Sequence, residues 1–251
     1  MFYLKFDLKY NQLPLFTLLC GGIGALLRLW LYGTGLDDEG LLVAAHPAGF
    51  LVLILTGLVL VLVIWFLRHF HAHGKYTRQF PVSVWGAVGA FAGAAAILLT
   101  AMVELIRRET SLSLMTGLLG IAAALCLAFT GLCRLKALRP NFLFHTVICL
   151  SLVLRLISHY QIWSADPQLH DYCFQLLATV SAMLFAYHRA ALDLKSENRR
   201  PLVTIGLLGV FFCCLSLVAS DAALYYGGLA AWMVTNLGDM NLTAKSPGED
   251  N

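Results

Sequence analysis

Apolar runs of about 20 residues, separated by short polar stretches, recur from one end of this chain to the other, and little besides a bundle of membrane helices can be built from them. Six of the seven prolines (Pro14, Pro47, Pro81, Pro140, Pro167 and Pro201) stand just before or at the start of such a run. A first helical turn tolerates proline because the missing N–H would have no partner there anyway. The pattern predicts helices over 12–32, 45–67, 82–106, 112–136, 141–163, 167–192, 201–219 and 222–239. The expected fold is therefore all-α: one polytopic transmembrane domain spanning 1–251, about eight helices, with no soluble domain. Only Ser220 and Asp221 separate the last two helices, and Asp221 suits an N-cap. Read as one broken helix instead, they would leave seven helices and move the C-terminus across the membrane.

Composition agrees, since 59% of the 251 residues are hydrophobic and only 12% are charged, far from the balance of a soluble domain. The partner implied first is the lipid bilayer. A net charge of +3 is spread over loops rather than gathered in an arm, so no nucleic-acid footprint is expected. All seven cysteines fall in or at the ends of apolar runs and read as small core side chains. The N-terminal apolar run continues past Cys20 to Leu27, which favours a retained first helix over a cleaved leader.

Orientation follows from basic residues in short loops. Lys5 and Lys9, then Arg68, Lys75 and Arg78, then Arg134, Lys136 and Arg139, then Arg189, Lys195, Arg199 and Arg200 mark one side as cytoplasmic. Asp37, Asp38 and Glu39, Asp166 and Asp221 mark the other side, with Arg107 and Arg108 the exception. Both termini are expected in the cytoplasm of a cell-membrane protein. Helix 2 is bulky all round and should face lipid. Helices 3 and 4 carry Gly86, Gly89, Gly93, Gly117, Gly120 and Gly131 at spacings that let backbones approach closely, which predicts a tightly packed central pair. No internal repeat of an inverted transporter type is evident.

The stretch GGIGALLRLWLYGTGLDDEGLLVAAHPA, from Gly21 to Ala48, resembles the opening of a family of uncharacterised multi-pass membrane proteins of Gram-positive anaerobic bacteria. There, a first helix ending in arginine leads through a Thr-Gly and acidic-Gly loop to a His-Pro or similar pair. The resemblance implies a bacterial plasma membrane and brings no known activity. The Gly-Gly and Arg28 pattern is also similar to small fluoride channels, which have half as many helices.

Candidate function centres on 141–187, two helices about a short turn. Arg155 sits well inside the first apolar run, and an arginine near mid-membrane costs about 2.5–3.5 kcal/mol on insertion scales, so it should face protein, a ligand or water. Ser151, Arg155 and His159 recur at four-residue spacing on one helix, and Asp171, Gln175 and Thr179 on the next. Arg155 is thus expected to pair with Asp171 or to share a ligand with it. With Tyr160 and Arg28 these residues form the candidate ligand-binding set: Arg155, His159, Asp171, Gln175, Tyr160 and Arg28. Arg28, closer to the interface, is read first as snorkelling to it, Glu104 is a candidate proton carrier, and the cytoplasmic half is expected to be far drier than this outer half.

No cofactor is called for. His145 with His159 and His170 with His188 return to similar helix faces, as in two-haem cytochromes, but helices joined by a short turn pack too closely for a porphyrin. His69, His71 and His73 offer too few ligands for zinc. The chain shows no Gly-x-Ser-x-Gly, no His-Glu-x-x-His and no adjacent glutamates, which argues against an enzyme. The expected function is that of an outward-facing pocket in a carrier or binding protein for a small anionic molecule. The alternatives are a non-catalytic sensor or assembly subunit with a membrane partner protein or a second copy of itself, and an intramembrane enzyme acting on a lipid or isoprenoid phosphate.

Overall fold

The computed structural model describes residues 12–35, 46–68, 83–107, 111–136, 138–163, 169–194, 199–218 and 222–240. Among these residues the fold is entirely helical: α1 (Leu13–Thr34), α2 (Pro47–Arg68), α3 (Val84–Arg107), α4 (Ser111–Leu135), α5 (Phe142–Trp163), α6 (Leu169–Asp193), α7 (Arg200–Leu215) and α8 (Ala223–Asp239). Each falls where an apolar run predicts it, with ends within a few residues. Helices α1 to α5 are each long and apolar enough to cross a bilayer, as in a multi-pass membrane protein. The arginines Arg68, Arg134, Arg139, Arg189, Arg199 and Arg200 lie at or beside the ends of α2, α4 and α6 and the starts of α5 and α7, so one end of the bundle is basic.

The last two helices are a hairpin, not one broken helix. The N–H of Ser216 closes the final turn of α7 on the Phe212 carbonyl at 3.0 Å, and the chain then returns. Gly227 lies against Leu217, Gly209 against Met233, and Gly206 against Leu237, a register that only antiparallel neighbours produce. Asp221, expected as the N-cap, lies outside the described residues; Ala222 occupies that position without a side-chain cap. At 16 and 17 residues, α7 and α8 are roughly 24 and 26 Å long at 1.5 Å per residue, shorter than the other helices. Their apolar character has another cause. Eleven of the 16 residues of α7 are buried, because it packs against α1, α2, α6 and α8.

This corrects the expectation that α3 and α4 form the centre. They are a close pair: a Cβ on Gly120 would lie 2.9 Å from the Ala101 methyl, and one on Gly117 only 2.6 Å from Leu105 Cγ. However, the outer face of α4 exposes Leu118, Leu125, Phe129 and Leu132. The small residues of α3 serve a second neighbour as well, since Gly89 is covered by Thr235, and Ala96 sits against Gly228. Helix α3 is therefore wedged between α4 and α8, while α7 and α8 hold the middle. Helix α2 is peripheral, as its composition predicts, burying only the stripe Ala48, Val52, Val59, Val63 and Leu67. All seven cysteines are free thiols, and Cys214 packs so closely on α1 that a Cβ on Gly21 would lie 2.6 Å from its own.

Candidate functional site

Arg155 is buried, with 8% of its surface exposed, and the structure supplies it with two partners from other helices. Its Nη1 lies 2.5 Å from Glu104 Oε1 on α3, and its Cζ stands 3.9 Å over the ring of Tyr225 on α8. The charge is thus answered by a carboxylate while the flat guanidinium face meets an aromatic quadrupole. Tyr226, the next residue on α8, lies beside Thr179 of α6, whose hydroxyl donates to the Gln175 carbonyl at 2.9 Å. Four helices therefore meet around Arg155 at the end of the bundle opposite the basic one.

The described residues give Arg155 a partner that the spacing did not suggest. The Asp171 side chain lies outside the described residues, and Glu104, a residue 51 positions before Arg155, holds the guanidinium. Sequence spacing reports which residues share a helix face; it carries no information on which distant helix lies opposite. Gln175 is buried in the same region, and His159, one turn beyond Arg155 on α5, is half-buried and feels the Arg155 charge. Tyr160 is 55% exposed. Arg28 does not snorkel. It is 2% exposed, donates to the Leu215 carbonyl at 2.9 Å and to the Tyr32 hydroxyl at 3.0 Å, and lies 5.0 Å from the Phe174 ring centroid. A cation on the last carbonyls of α7 answers the negative end of that helix, and this explains why the arginine is buried.

A second polar cluster, which the sequence reading missed, lies at the basic end. His145 Nδ1 on α5 is 2.8 Å from Asp193 Oδ2 on α6, with both side chains almost wholly buried. The His145 ring stacks on Trp232 of α8 at 6.5 Å between centroids. Arg134 of α4 donates to Asn236 Oδ1 at 3.0 Å, and Asn236 Nδ2 donates to the Trp232 carbonyl at 2.9 Å. Arg189, one turn before Asp193 and 2% exposed, is close enough, with Arg134, for its charge to act on His145. This half of the bundle is not dry. Arg134, Arg139, Arg189 and Arg199 read in the sequence as loop charges that set orientation, whereas Arg134, Arg189 and Arg199 are buried between helices and Arg139 donates to the Leu192 carbonyl at 3.1 Å. The signal available beforehand was their position: each lies at a helix boundary, where a long side chain can turn inward as easily as outward.

Between the two clusters lies an apolar layer in which Ile148 and Leu152 of α5, Ala182 and Phe185 of α6, and Leu229 and Trp232 of α8 are all buried. Phe185 meets Trp232 edge to face at 5.1 Å. His145 and Arg155, ten residues apart on α5, stand roughly 15 Å apart along its axis at 1.5 Å per residue. Helices α5, α6 and α8 thus carry polar groups at both ends and a sealed middle. Among the described residues no three His, Cys, Asp or Glu side chains gather as a metal ion would require; His69, His71 and His73 lie outside those residues, as does the His170 side chain. Compared with protein-family models, with curated proteins and with solved structures, the chain has no match.

Proposed function

We propose that this protein carries a small anionic solute across a bacterial plasma membrane, with its basic end and both termini in the cytoplasm. One observation carries the reading: the same three helices, α5, α6 and α8, line a buried ionic cluster at each end of the bundle, with the Phe185–Trp232 layer closing the space between. A carrier must offer its solute polar contacts on both sides of a barrier, and must not leave a continuous wet path. Arg155 is the group that recognises the anion. Glu104 competes for the same guanidinium, so a bound carboxylate or phosphate displaces Glu104 and loosens the tie between α3 and α5. That exchange links occupancy to helix movement, as a differential contact must. Tyr225, Gln175 and His159 form the surrounding wall.

The test is thermal unfolding of detergent-solubilised wild type and Arg155→Lys against inorganic phosphate, sulfate, succinate and glutamate, followed by counterflow of labelled solute in proteoliposomes. A solute that stabilises wild type raises its unfolding temperature by mass action; the lysine variant keeps the charge but loses the planar fork, and its response should fall at least tenfold in apparent affinity. No stabilisation and no counterflow with any anion would turn attention to a non-transporting assembly subunit, for which co-purifying membrane partners are the next observation.

A further inference from the structure

Helices α3, α4, α5, α6 and α8 form a ring in which α3 packs on α4, α4 on α5, α5 on α6, and α8 back on α3. Helix α6 closes on α8 with α7 wedged behind them, where Gly206 of α7 meets both Phe185 and Leu237. Helices α1 and α2 lie outside the ring, chiefly against α7. Across the ring the backbones stand apart: among the described residues α5 packs along α4 and α6, but not along α3 or α8. Its side chains nevertheless touch both, since Arg155 reaches Glu104 of α3 and Tyr225 of α8, and His145 stacks on Trp232 of α8. Long side chains therefore close the interior, not helix against helix. They converge on Trp232. A Cβ built on Gly93 of α3 would lie 3.1 Å from the Trp232 Cβ and 3.0 Å from Leu127 Cδ2 of α4, so the base of the tryptophan is seated where α3 has no side chain. From there the indole extends to His145 on α5 and Phe185 on α6, at 6.5 and 5.1 Å between ring centroids, and only 1% of the residue is exposed. All five ring helices meet around this one residue.

We infer that the axis of this five-helix ring is the solute's path and that Trp232 is its gate, a side chain whose swing opens the barrier while the helices stay packed. The inference rests on the carrier reading above and adds to it the route and the moving part. The contrast between seam and interior is its physical reason. Along the seam of α3 and α8 the backbones are close, with Gly228 against Ala96 and Gly89 against Thr235, and parting such surfaces forfeits many dispersion contacts at once. In the interior, the indole and the Phe185 ring meet edge to face, a modest preference for each pair, and a tryptophan passes between staggered rotamers with no movement of its backbone. The axis also joins the two ionic clusters. A solute leaving Arg155 for the basic end meets the indole first. Tyr225, which covers the Arg155 guanidinium, lies seven residues before Trp232, two turns back on the same face of α8. The residue over the anion-recognising group and the gate are thus carried by one helix face.

The experiment compares proteoliposomes of the full-length protein with protein-free liposomes by two readouts: counterflow of labelled phosphate, sulfate and succinate, and entry of erythritol, a small neutral solute, followed by light scattering. Wild type is expected to show counterflow and to admit erythritol no faster than protein-free liposomes do. Trp232→Ala is expected to admit it at least about fivefold faster, because truncating a buried indole leaves a cavity that its surroundings refill only partly. Trp232→Phe keeps a ring at the gate and should leak less, about twofold above the protein-free rate. Phe211→Ala is the control for general loosening. It removes a fully buried ring from α7 on the side packed against α1 at Gly21, and it should stay at the protein-free rate. A folded Trp232→Ala protein that admits no erythritol, or a Phe211→Ala protein that leaks as fast, overturns the gate and its route, while counterflow by wild type leaves the carrier intact. Absence of counterflow in wild type overturns the carrier reading, and the inference with it. If Trp232→Ala does not fold, Phe185→Ala, which removes the other ring of the pair, is read in its place by the same criteria beside Trp232→Phe.

Discussion

Removing both partners of the Arg155–Glu104 pair should damage the protein less than the sum of removing each alone. The N···O distance is 2.5 Å, and the two side chains are 10% and 21% exposed. With charge centres about 4 Å apart, the Coulomb attraction is roughly 4 kcal/mol at an effective dielectric of 20. Arg155→Met leaves a carboxylate without its counter-charge, a change that costs about 3–5 kcal/mol for a fully buried pair; the partial exposure of Glu104 puts the expected loss near the lower end, about 3 kcal/mol. The same substitution forfeits the contact over Tyr225, worth about 1 kcal/mol more. Glu104→Gln leaves the guanidinium buried but still stacked, and should cost about 2–3 kcal/mol. The double variant removes both charges, so it should be less destabilised than the sum of the single ones by about 2 kcal/mol. Reversible unfolding by sodium dodecyl sulfate in mixed micelles measures all four proteins. Additivity within about 0.5 kcal/mol, the behaviour of independent sites, would refute the argument that these charges are coupled across α3 and α5.

Other contacts give sharper local tests. Gly228→Ala places a methyl against Ala96 and should cost about 1–3 kcal/mol by overpacking; adding Ala96→Gly exchanges the sizes and should restore most of that stability in the same unfolding assay. Arg28→Leu removes the donor to the Leu215 carbonyl and is expected to lose about 1–3 kcal/mol, with Arg28→Lys recovering part of it, whereas Tyr160→Ala, on an exposed position, should stay within about 0.5 kcal/mol of wild type. Orientation is read by reporter fusions in a Gram-negative host: alkaline phosphatase joined after Thr34 should be active, green fluorescent protein joined after Leu194 or at the C-terminus should fluoresce, and the reverse pattern would invert the proposed topology.

Local rules carried the reading far where the chain's own neighbours decide the outcome. The eight described helices, their starts near prolines, the peripheral place of α2 and the close approach of α3 and α4 were legible, because apolar run length and small-residue spacing act within a helix or between successive ones. The importance of Arg155 was legible too, since a guanidinium inside an apolar run needs a partner wherever the helix goes. Its partner was not. Asp171 was the nearest candidate along the chain, but a helix pair joined by a turn can rotate about its axes, and neither periodicity nor charge says which face meets which.

Arg28 and the basic-end cluster show the same limit from the other side. Counted as charges, Arg134, Arg139, Arg189 and Arg199 indicate an orientation; seen in place, three of them lie between helices and one holds a backbone carbonyl. Arg28 looked like an interfacial anchor and instead caps α7. What the amino-acid order alone settled is the all-helical, membrane-type bundle, because burying about 20 apolar residues with every backbone hydrogen bond made internally has only that solution in lipid. Which helices lie at the centre, which carboxylate answers Arg155, and how His145 comes to face Asp193 were decided by packing, since those contacts join residues tens of positions apart and depend on rotations that only the assembled helices can fix.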